Sequence, residues 1–148
     1  MALELKWSGP ELEASLKRAT FSGLLAGGVH LHTKEKIQVS VPVVKVQVTR
    51  TRNTSRGQKG STYMKVIERS KIGEPPRLDT GFGRDNIVFE SDESEGAVRV
   101  GIRQNAMYMF KHEVTGRNHL RRTLGEEQQT IAKVIEVYAV SDAKKQGL

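Results

Sequence analysis

The basic side chains of this chain are concentrated in one segment. Between Lys45 and Arg77 the sequence holds nine basic residues and only two acidic ones, Glu68 and Glu74, so this segment carries the whole net charge of +7. Arginine and lysine at this density can neutralise phosphates without reading base sequence. A single aromatic residue, Tyr63, stands among them to stack on bases. The candidate binding residues are Lys45, Arg50, Arg52, Arg56, Lys59, Lys65, Arg69 and Lys71.

This basic segment has three possible uses. Its like charges can keep it extended as a solvated loop. It can bind an acidic face of another protein, or it can contact DNA directly. Composition and charge do not choose among the three.

A possible catalytic carboxylate lies just after the basic segment. Leu78-Asp79-Thr80-Gly81 coincides with the motif of aspartic proteases, and a retroviral-type enzyme would be a homodimer of similar chain length. That reaction needs two aspartates sharing one proton. Here Pro75-Pro76-Arg77 precedes the motif in place of an apolar strand, and Phe82 follows it where a small residue is usual. A structural turn therefore explains the motif better, and the protease is a third-ranked hypothesis.

The remaining reactive side chains form no recognisable catalytic or metal motif. His30 and His32 are two apart and His112 and His119 are seven apart, so neither pair shares a helical face, and the chain has no cysteine. We expect these histidines to be solvated or to cap helices. No phosphate loop, dinucleotide fingerprint or nucleophile elbow occurs. The sequence thus predicts no enzyme, no metal and no cofactor.

Length and composition indicate one domain spanning residues 1–148. Hydrophobic residues at 36% and aromatic residues at 5% predict a thin, aliphatic core. No apolar run approaches the roughly 20 residues that a membrane span needs, and the N-terminus lacks the pattern of a secretion signal. We therefore expect a protein that is synthesised in a cytoplasm and has no membrane partner.

A long helix is predicted near the N-terminus. Pro10, after Ser8-Gly9, suits a first helical turn, and Glu11 and Glu13 complement the helix dipole. Apolar and small residues then recur every three or four positions, which predicts a helix to about Lys36. The recurring positions are Leu12, Leu16, Ala19, Gly23, Leu24, Gly27 and Leu31. The glycines indicate either close approach of another backbone or a kinked or frayed helix.

An arm is predicted at about residues 44–72. Alternating valines from Ile37 to Val48 favour a strand that Pro42 interrupts, although the helix could instead run to about Ser40. Thr49–Thr62 has the composition of a loop. Val44–Arg50 and Tyr63–Arg69 could pair as a hairpin around it. A connection this long is usually functional or disordered.

The C-terminal half predicts a small sheet and a second long helix. Ile87–Glu90 and Ala97–Arg103 read as two short strands joined by an acidic turn. Met107–Val114 is an apolar cluster of helical spacing. Leu120–Ser141 is predicted as a helix, with Thr123 and Glu126 as a capping box. The predicted fold class is α+β: a long N-terminal helix and a C-terminal helix packed on a small antiparallel sheet, with a long basic loop or hairpin arm.

One motif of the chain carries a resemblance. Gly73-Glu74-Pro75-Pro76-Arg77, then Asp79-Thr80-Gly81, Ile87 and Val98-x-Val100-Gly101 resemble the gene-product-ten-like tail-component family of long-tailed bacteriophages. The similarity runs from Gly73 to about Leu124. The residues that match the motif are Gly73, Glu74, Pro75, Pro76, Asp79, Thr80, Gly81, Tyr108 and Glu113. Thr115-Gly116 replaces the usual Gly-Thr, and the usual prolines before the last helix are missing.

The resemblance implies a structural virion protein of the head–tail junction. Proteins of this family lie in the neck of the virion and join the DNA-filled head to the tail. The expected partners are other copies of the chain in a ring, head-completion or stopper proteins, and tail-terminator or tail-tube proteins. Genomic double-stranded DNA in the channel is a further possible partner. The alternative that the residues themselves suggest is a basic nucleic-acid-binding module.

Overall fold

The computed structural model describes residues 9–68, 71, 74–77, 80–114 and 119–147. The fold is α+β, with two long helices and two separate two-stranded antiparallel sheets. In chain order the elements are α1 (Gly9–Gln38), β1 (Val44–Thr54), β2 (Gly57–Glu68), the short α2 (Phe82–Asp85), β3 (Ile87–Asp92), β4 (Ala97–Ile102), a 3-10 turn (Gln104–Ala106), α3 (Met107–Val114) and α4 (His119–Lys145).

Helix α1 confirms the predicted N-terminal helix and runs slightly further than Lys36. Its last turn closes through the Val39 amide, which donates to the Glu35 carbonyl at 3.2 Å, and the Ser40 amide, which donates to Ile37 at 3.1 Å. Ile37 is therefore helical, and the strand predicted to begin there is wrong. Pro42 cannot donate a backbone hydrogen bond and does not continue the helix.

The small residues of α1 allow close contact with α4. A Cβ on Gly23 would lie 2.5 Å from the carbonyl oxygen of Ile135, and one on Gly27 would lie 2.7 Å from the side chain of Ile135. Ala19, Gly23 and Gly27 are buried along this contact. The close approach anticipated from the glycines thus occurs within the fold, against the backbone of α4.

The sheet of β3 and β4 packs on another side of α1. A Cβ on Gly28 would lie 2.3 Å from Val98 Cγ1 and 2.7 Å from Phe89 Cε2. Helix α1 therefore contacts both α4 and the sheet. The buried apolar cluster is small and aliphatic, as predicted from composition: Val39, Ile87, Ala106 and Met109, with Val100 and Ile102 packed against it.

The predicted acidic hairpin is confirmed as β3 and β4. Ile87 pairs with Ile102, and the pairing continues to Asp92 and Ala97. The Asp92 carboxylate closes the turn by accepting hydrogen bonds from the amides of Ser94 and Glu95 at 3.0 and 3.1 Å. The Ser94 hydroxyl also donates to this carboxylate, at 2.6 Å, and this bond first, then the two amide bonds, holds the pKa of Asp92 below its ordinary value.

Helix α4 confirms the predicted C-terminal helix but begins without the predicted capping box. Its first helical residue is His119, and Thr123 lies one turn inside it. The Thr123 hydroxyl is buried and donates to the His119 carbonyl at 2.8 Å. Glu126 bonds to Arg122 at 2.7 Å and to Gln38 at 3.1 Å. The capping box is therefore wrong, because both side chains serve contacts inside the helix or with α1.

The loop predicted over Thr49–Thr62 is also wrong, since both strands continue to a turn at Ser55 and Arg56. The pairing runs from Val44 with Glu68 to Thr54 with Gly57. Gly57 has a φ of 109°, which a side-chain-bearing residue rarely adopts. The predicted arm is thus a β-hairpin along its whole length, and its expected end at residues 69–72 falls largely outside the described residues.

Candidate functional site

The candidate site is the hairpin of β1 and β2, which stands apart from the rest of the molecule. Nearly every described side chain from 44 to 67 is exposed, and Val48 and Val66 are half-buried. The main contacts of each strand are with the other strand. Eleven residues of extended strand span about 35 Å. The hairpin therefore presents two faces and both edges to solvent.

The strand register places most of the hairpin's cations on one face. Side chains directly opposite each other in an antiparallel pair lie on the same face, and every second residue shares that face. Val46 pairs with Lys65, Arg50 pairs with Ser61, and Arg52 pairs with Lys59. We call this the basic face; its charged residues are Arg50, Arg52, Lys59 and Lys65, and Val46, Val48, Ser61 and Tyr63 lie among them.

The opposite face of the hairpin is almost uncharged. It carries one cation, Lys45, at the base of the hairpin, where Lys45 pairs with Val66. The hydroxyls of Thr49 and Thr62 lie 3.4 Å apart across the strands. We call this the threonine face; its other residues are Gln47, Thr51, Asn53, Gln58, Gly60 and Met64.

The acidic residue of the hairpin is Glu68, the last residue of β2, which pairs with Val44 at the base. The sequence from 44 to 67 contains no aspartate or glutamate. The ion pairs found among the described residues lie elsewhere, for example between Glu13 and Lys17 at 2.7 Å, and none of them includes Arg50, Arg52 or Lys59. Within the part of the chain that the structure describes, these three cations of the basic face therefore have no acidic partner, and they are open to a partner of opposite charge.

The predicted binding residues divide between the hairpin and the segment after it. Arg56 lies in the turn at the tip of the hairpin, and Lys45 lies at its base. Lys71 is exposed, and its amide donates to the Glu74 carboxylate at 3.0 Å. Arg69 lies outside the described residues. Six of the eight predicted residues are thus brought together on one element.

The family-motif residues lie in the body of the molecule. Pro76 is buried, and Glu74 and Pro75 are half-buried. Gly81 has a φ of 83°, the left-handed conformation expected of a tight turn, and directly precedes α2. The hydroxyl of Thr80 accepts a hydrogen bond from the Phe82 amide at 3.4 Å. Gly73 and Asp79 lie outside the described residues.

Tyr108, in α3, contacts the residues that follow this turn. Its ring stacks on Phe82 with 6.2 Å between ring centroids. Burial raises the pKa of the Tyr108 hydroxyl above its ordinary value. A Cβ on Gly83 would lie 2.8 Å from the Tyr108 oxygen. The two rings are partly exposed and Gly83 is buried, so this contact joins α2 to α3 at the surface of the molecule. Glu113 is also in α3.

Three of the four histidines make internal contacts, so the expectation of solvated or helix-capping histidines is wrong for them. His30 donates to Glu127 at 2.9 Å, and His32 donates to the Ile87 carbonyl at 3.1 Å. His119 and Glu35 form a hydrogen-bonded pair in which both side chains are fully buried. These contacts hold α1 against α4 and the sheet. Within the described part of the chain, no group of three His, Asp or Glu residues could hold a metal.

The sidedness of the hairpin is the functional feature that the sequence analysis missed. Thr49-Arg50-Thr51-Arg52 alternates polar and basic residues, which is the period of a strand. Assigning these residues to a loop concealed that Arg50 and Arg52 share one face.

No helix among the described residues is both long and apolar enough to cross a membrane. Comparison of the chain with protein-family models, with curated proteins and with solved structures gave no match.

Proposed function

We propose that this protein is a structural component of a bacteriophage head–tail junction, where copies of it form a ring between the DNA-filled head and the tail. The observation that carries this proposal is the long, exposed hairpin on a small packed body, together with the motif that resembles phage tail-component proteins. The proposed location is the virion, after synthesis in the host cytoplasm.

The hairpin supports an assembly role because it is poorly stabilised by its own molecule. An isolated two-stranded hairpin is marginally stable in water, and long unpaired strand edges readily pair or bind. Contact with a neighbouring surface would therefore stabilise a hairpin of this length. It would act as an arm that reaches the adjacent subunit or the adjacent layer of the neck.

The helical body also offers surfaces for subunit contacts. Large apolar side chains at the outer ends of α1 and α4 are exposed: Leu12, Leu16, Val137, Tyr138 and Val140. Exposed apolar groups of this size often mark protein interfaces. A closed ring uses head-to-tail contacts, so each subunit needs two different patches. The body and the arm provide two different kinds of surface.

Electron microscopy of lysates from a phage that lacks this protein tests the proposal. We expect filled heads and separate tails, and we expect the purified protein to restore joining. A version in which residues 46–65 are replaced by a two-residue turn should not restore it. Joined, infectious particles in the absence of the protein would contradict the proposed role.

A further inference from the structure

The two faces of the hairpin differ in charge although they belong to the same strands. Arg50, Arg52, Lys59 and Lys65 lie on the basic face, whereas the threonine face has only Lys45. Charge keeps an exposed arm solvated, but solvation alone does not require the charges to lie on one face. The segregation indicates that one face meets a polyanion.

We propose that the basic face binds double-stranded DNA along its phosphate backbone, without recognising base sequence. The inference rests on the proposed function in placing this DNA in the channel of a ring. The binding itself is a property of the chain and can be measured on the isolated protein.

The dimensions of the hairpin suit a DNA duplex. The major groove of B-DNA is about 12 Å wide and admits a two-stranded β-ribbon. A ribbon about 35 Å long spans roughly one helical turn. The hairpin is exposed along nearly its whole length, so the described body does not cover the basic face. A duplex could therefore contact all four cations of the face at once.

The chemistry of the basic face favours phosphates over bases. Sequence reading by arginine needs a guanidinium held in a fixed orientation for two hydrogen bonds to one base. Arg50 and Arg52 are exposed, and among the described residues neither guanidinium is held in a fixed orientation by a hydrogen bond to another side chain. Long, unrestrained cations bind the backbone as point charges, which gives affinity without specificity.

The acidic turn of a second copy is the competing partner. It carries Glu90, Asp92, Glu93 and Glu95, but most of these carboxylates are engaged within their own hairpin. Asp92 accepts the turn amides, and Glu95 is paired with Arg99. Glu90 lies directly opposite Arg99 in the register. An internally compensated turn attracts a basic face less than a row of phosphates does, so the geometry favours DNA.

Binding of the isolated protein to duplexes of unrelated sequence tests the inference. With about four phosphate contacts, the affinity should fall roughly 100-fold when salt rises from 50 to 200 mM. The variant R50Q/R52Q/K59Q/K65Q should bind at least tenfold more weakly at low salt and lose most of the salt dependence. Arg50→Lys with Arg52→Lys should retain binding, because backbone contacts need only the charge.

A matched control removes four charges elsewhere. Arg121, Lys133, Lys144 and Lys145 are exposed on α4, and changing all four to Gln lowers the net charge equally. We expect this variant to bind DNA nearly as well as the original protein. Equal losses in both variants would show attraction by net charge alone and would overturn the inference. Circular dichroism checks that each variant keeps its fold.

Two further outcomes would also overturn the inference. The first is sequence-dependent binding, which would show base contacts. The second is a hairpin variant that loses self-association, measured by light scattering, but keeps its affinity for DNA, which would assign the face to a second copy. Either failure leaves the proposed neck role intact, because that role is tested by particle morphology. Separately, normal joining without the protein would reject the neck role and leave the DNA result standing.

Discussion

The carboxylate of Glu35 and the imidazole of His119 are buried together, although 84 residues separate them in sequence. Gln38 and Glu126 make a second polar contact between the same two helices, at 3.1 Å. The second oxygen of the Glu35 carboxylate has no hydrogen-bond partner among the described atoms. A buried polar pair is costly to break, because the remaining partner loses both water and its hydrogen bond. These residues therefore fix how the start of α4 sits on α1.

A double-mutant cycle measures this dependence. Glu35→Leu or His119→Leu alone should destabilise the fold by about 2–4 kcal/mol, because each removes one partner of a fully buried polar contact. The double substitution should cost clearly less than the sum of the two. Urea denaturation provides the free energies of unfolding. Strict additivity would show that the two side chains do not act as a pair.

Acid should weaken the contact of α1 with α4 at Glu127. Its carboxylate accepts hydrogen bonds from His30 at 2.9 Å and Lys34 at 3.2 Å, and these, His30 first, hold the pKa of Glu127 below its ordinary value. A lowered folded-state pKa stabilises the fold above the unfolded-state pKa, about 4.3, and that contribution disappears as pH falls through the folded-state pKa. Glu127→Gln should therefore destabilise the protein at neutral pH and not in strong acid.

Urea denaturation at a series of pH values checks this dependence. Glu136→Gln is the control, since Glu136 is an exposed carboxylate of the same helix. The two variants are compared with the original protein at each pH. A Glu127→Gln effect that does not change as the pH falls through the acid range would contradict the assigned contact, because protonation of the carboxylate should remove the contribution that the substitution deletes.

At the scale of elements, glycine has opposite consequences at different positions of the two long helices. Gly23 lies against the Ile135 carbonyl, whereas a Cβ on Gly125 in α4 would meet no atom within 4 Å. Alanine favours a helix over glycine by about 1 kcal/mol. At Gly125 no steric contact opposes this preference, so alanine should stabilise the helix there. At Gly23 it is opposed by a contact with backbone, which cannot move aside as a flexible side chain can.

Gly23→Ala should therefore lower the melting temperature, at a cost of about 1–3 kcal/mol from overpacking. Gly125→Ala should raise it slightly. Thermal denaturation followed by circular dichroism compares the two variants under the same conditions. A stabilising Gly23→Ala would mean that the helices are further apart than the structure shows.

The basic hairpin shows which parts of an element local sequence specifies. The alternating valines of β1 have the two-residue period of a strand, and Gly57 can adopt the positive φ that its place after the turn requires. The polar segment from Thr49 to Thr62, which forms the outer half of the hairpin and its turn, has the composition of a loop. Those residues are strands because each pairs with the other strand, and such pairing is a property of two segments together.

At the scale of the whole molecule, the structure combines a packed body with one exposed arm. Every trypsin site on the hairpin is exposed: Lys45, Arg50, Arg52, Arg56, Lys59 and Lys65. Limited proteolysis of the isolated protein should therefore cut first in the hairpin and leave α1 and α4 intact, because local opening is easiest where few side chains are buried. Mass spectrometry of the early fragments identifies the sites. First cleavage at Lys36 or Lys133 would contradict this order.

The sequence by itself determined the fold class, the two long helices, the acidic hairpin and the concentration of charge in one segment. Each of these follows from local periodicity, turn chemistry or composition. Only the tertiary structure decided which neighbouring element each glycine of α1 contacts, that His119 is buried against Glu35, and that four cations share one face of the hairpin. These features depend on contacts or strand register between distant segments, and a register shift of one residue would have reversed the face.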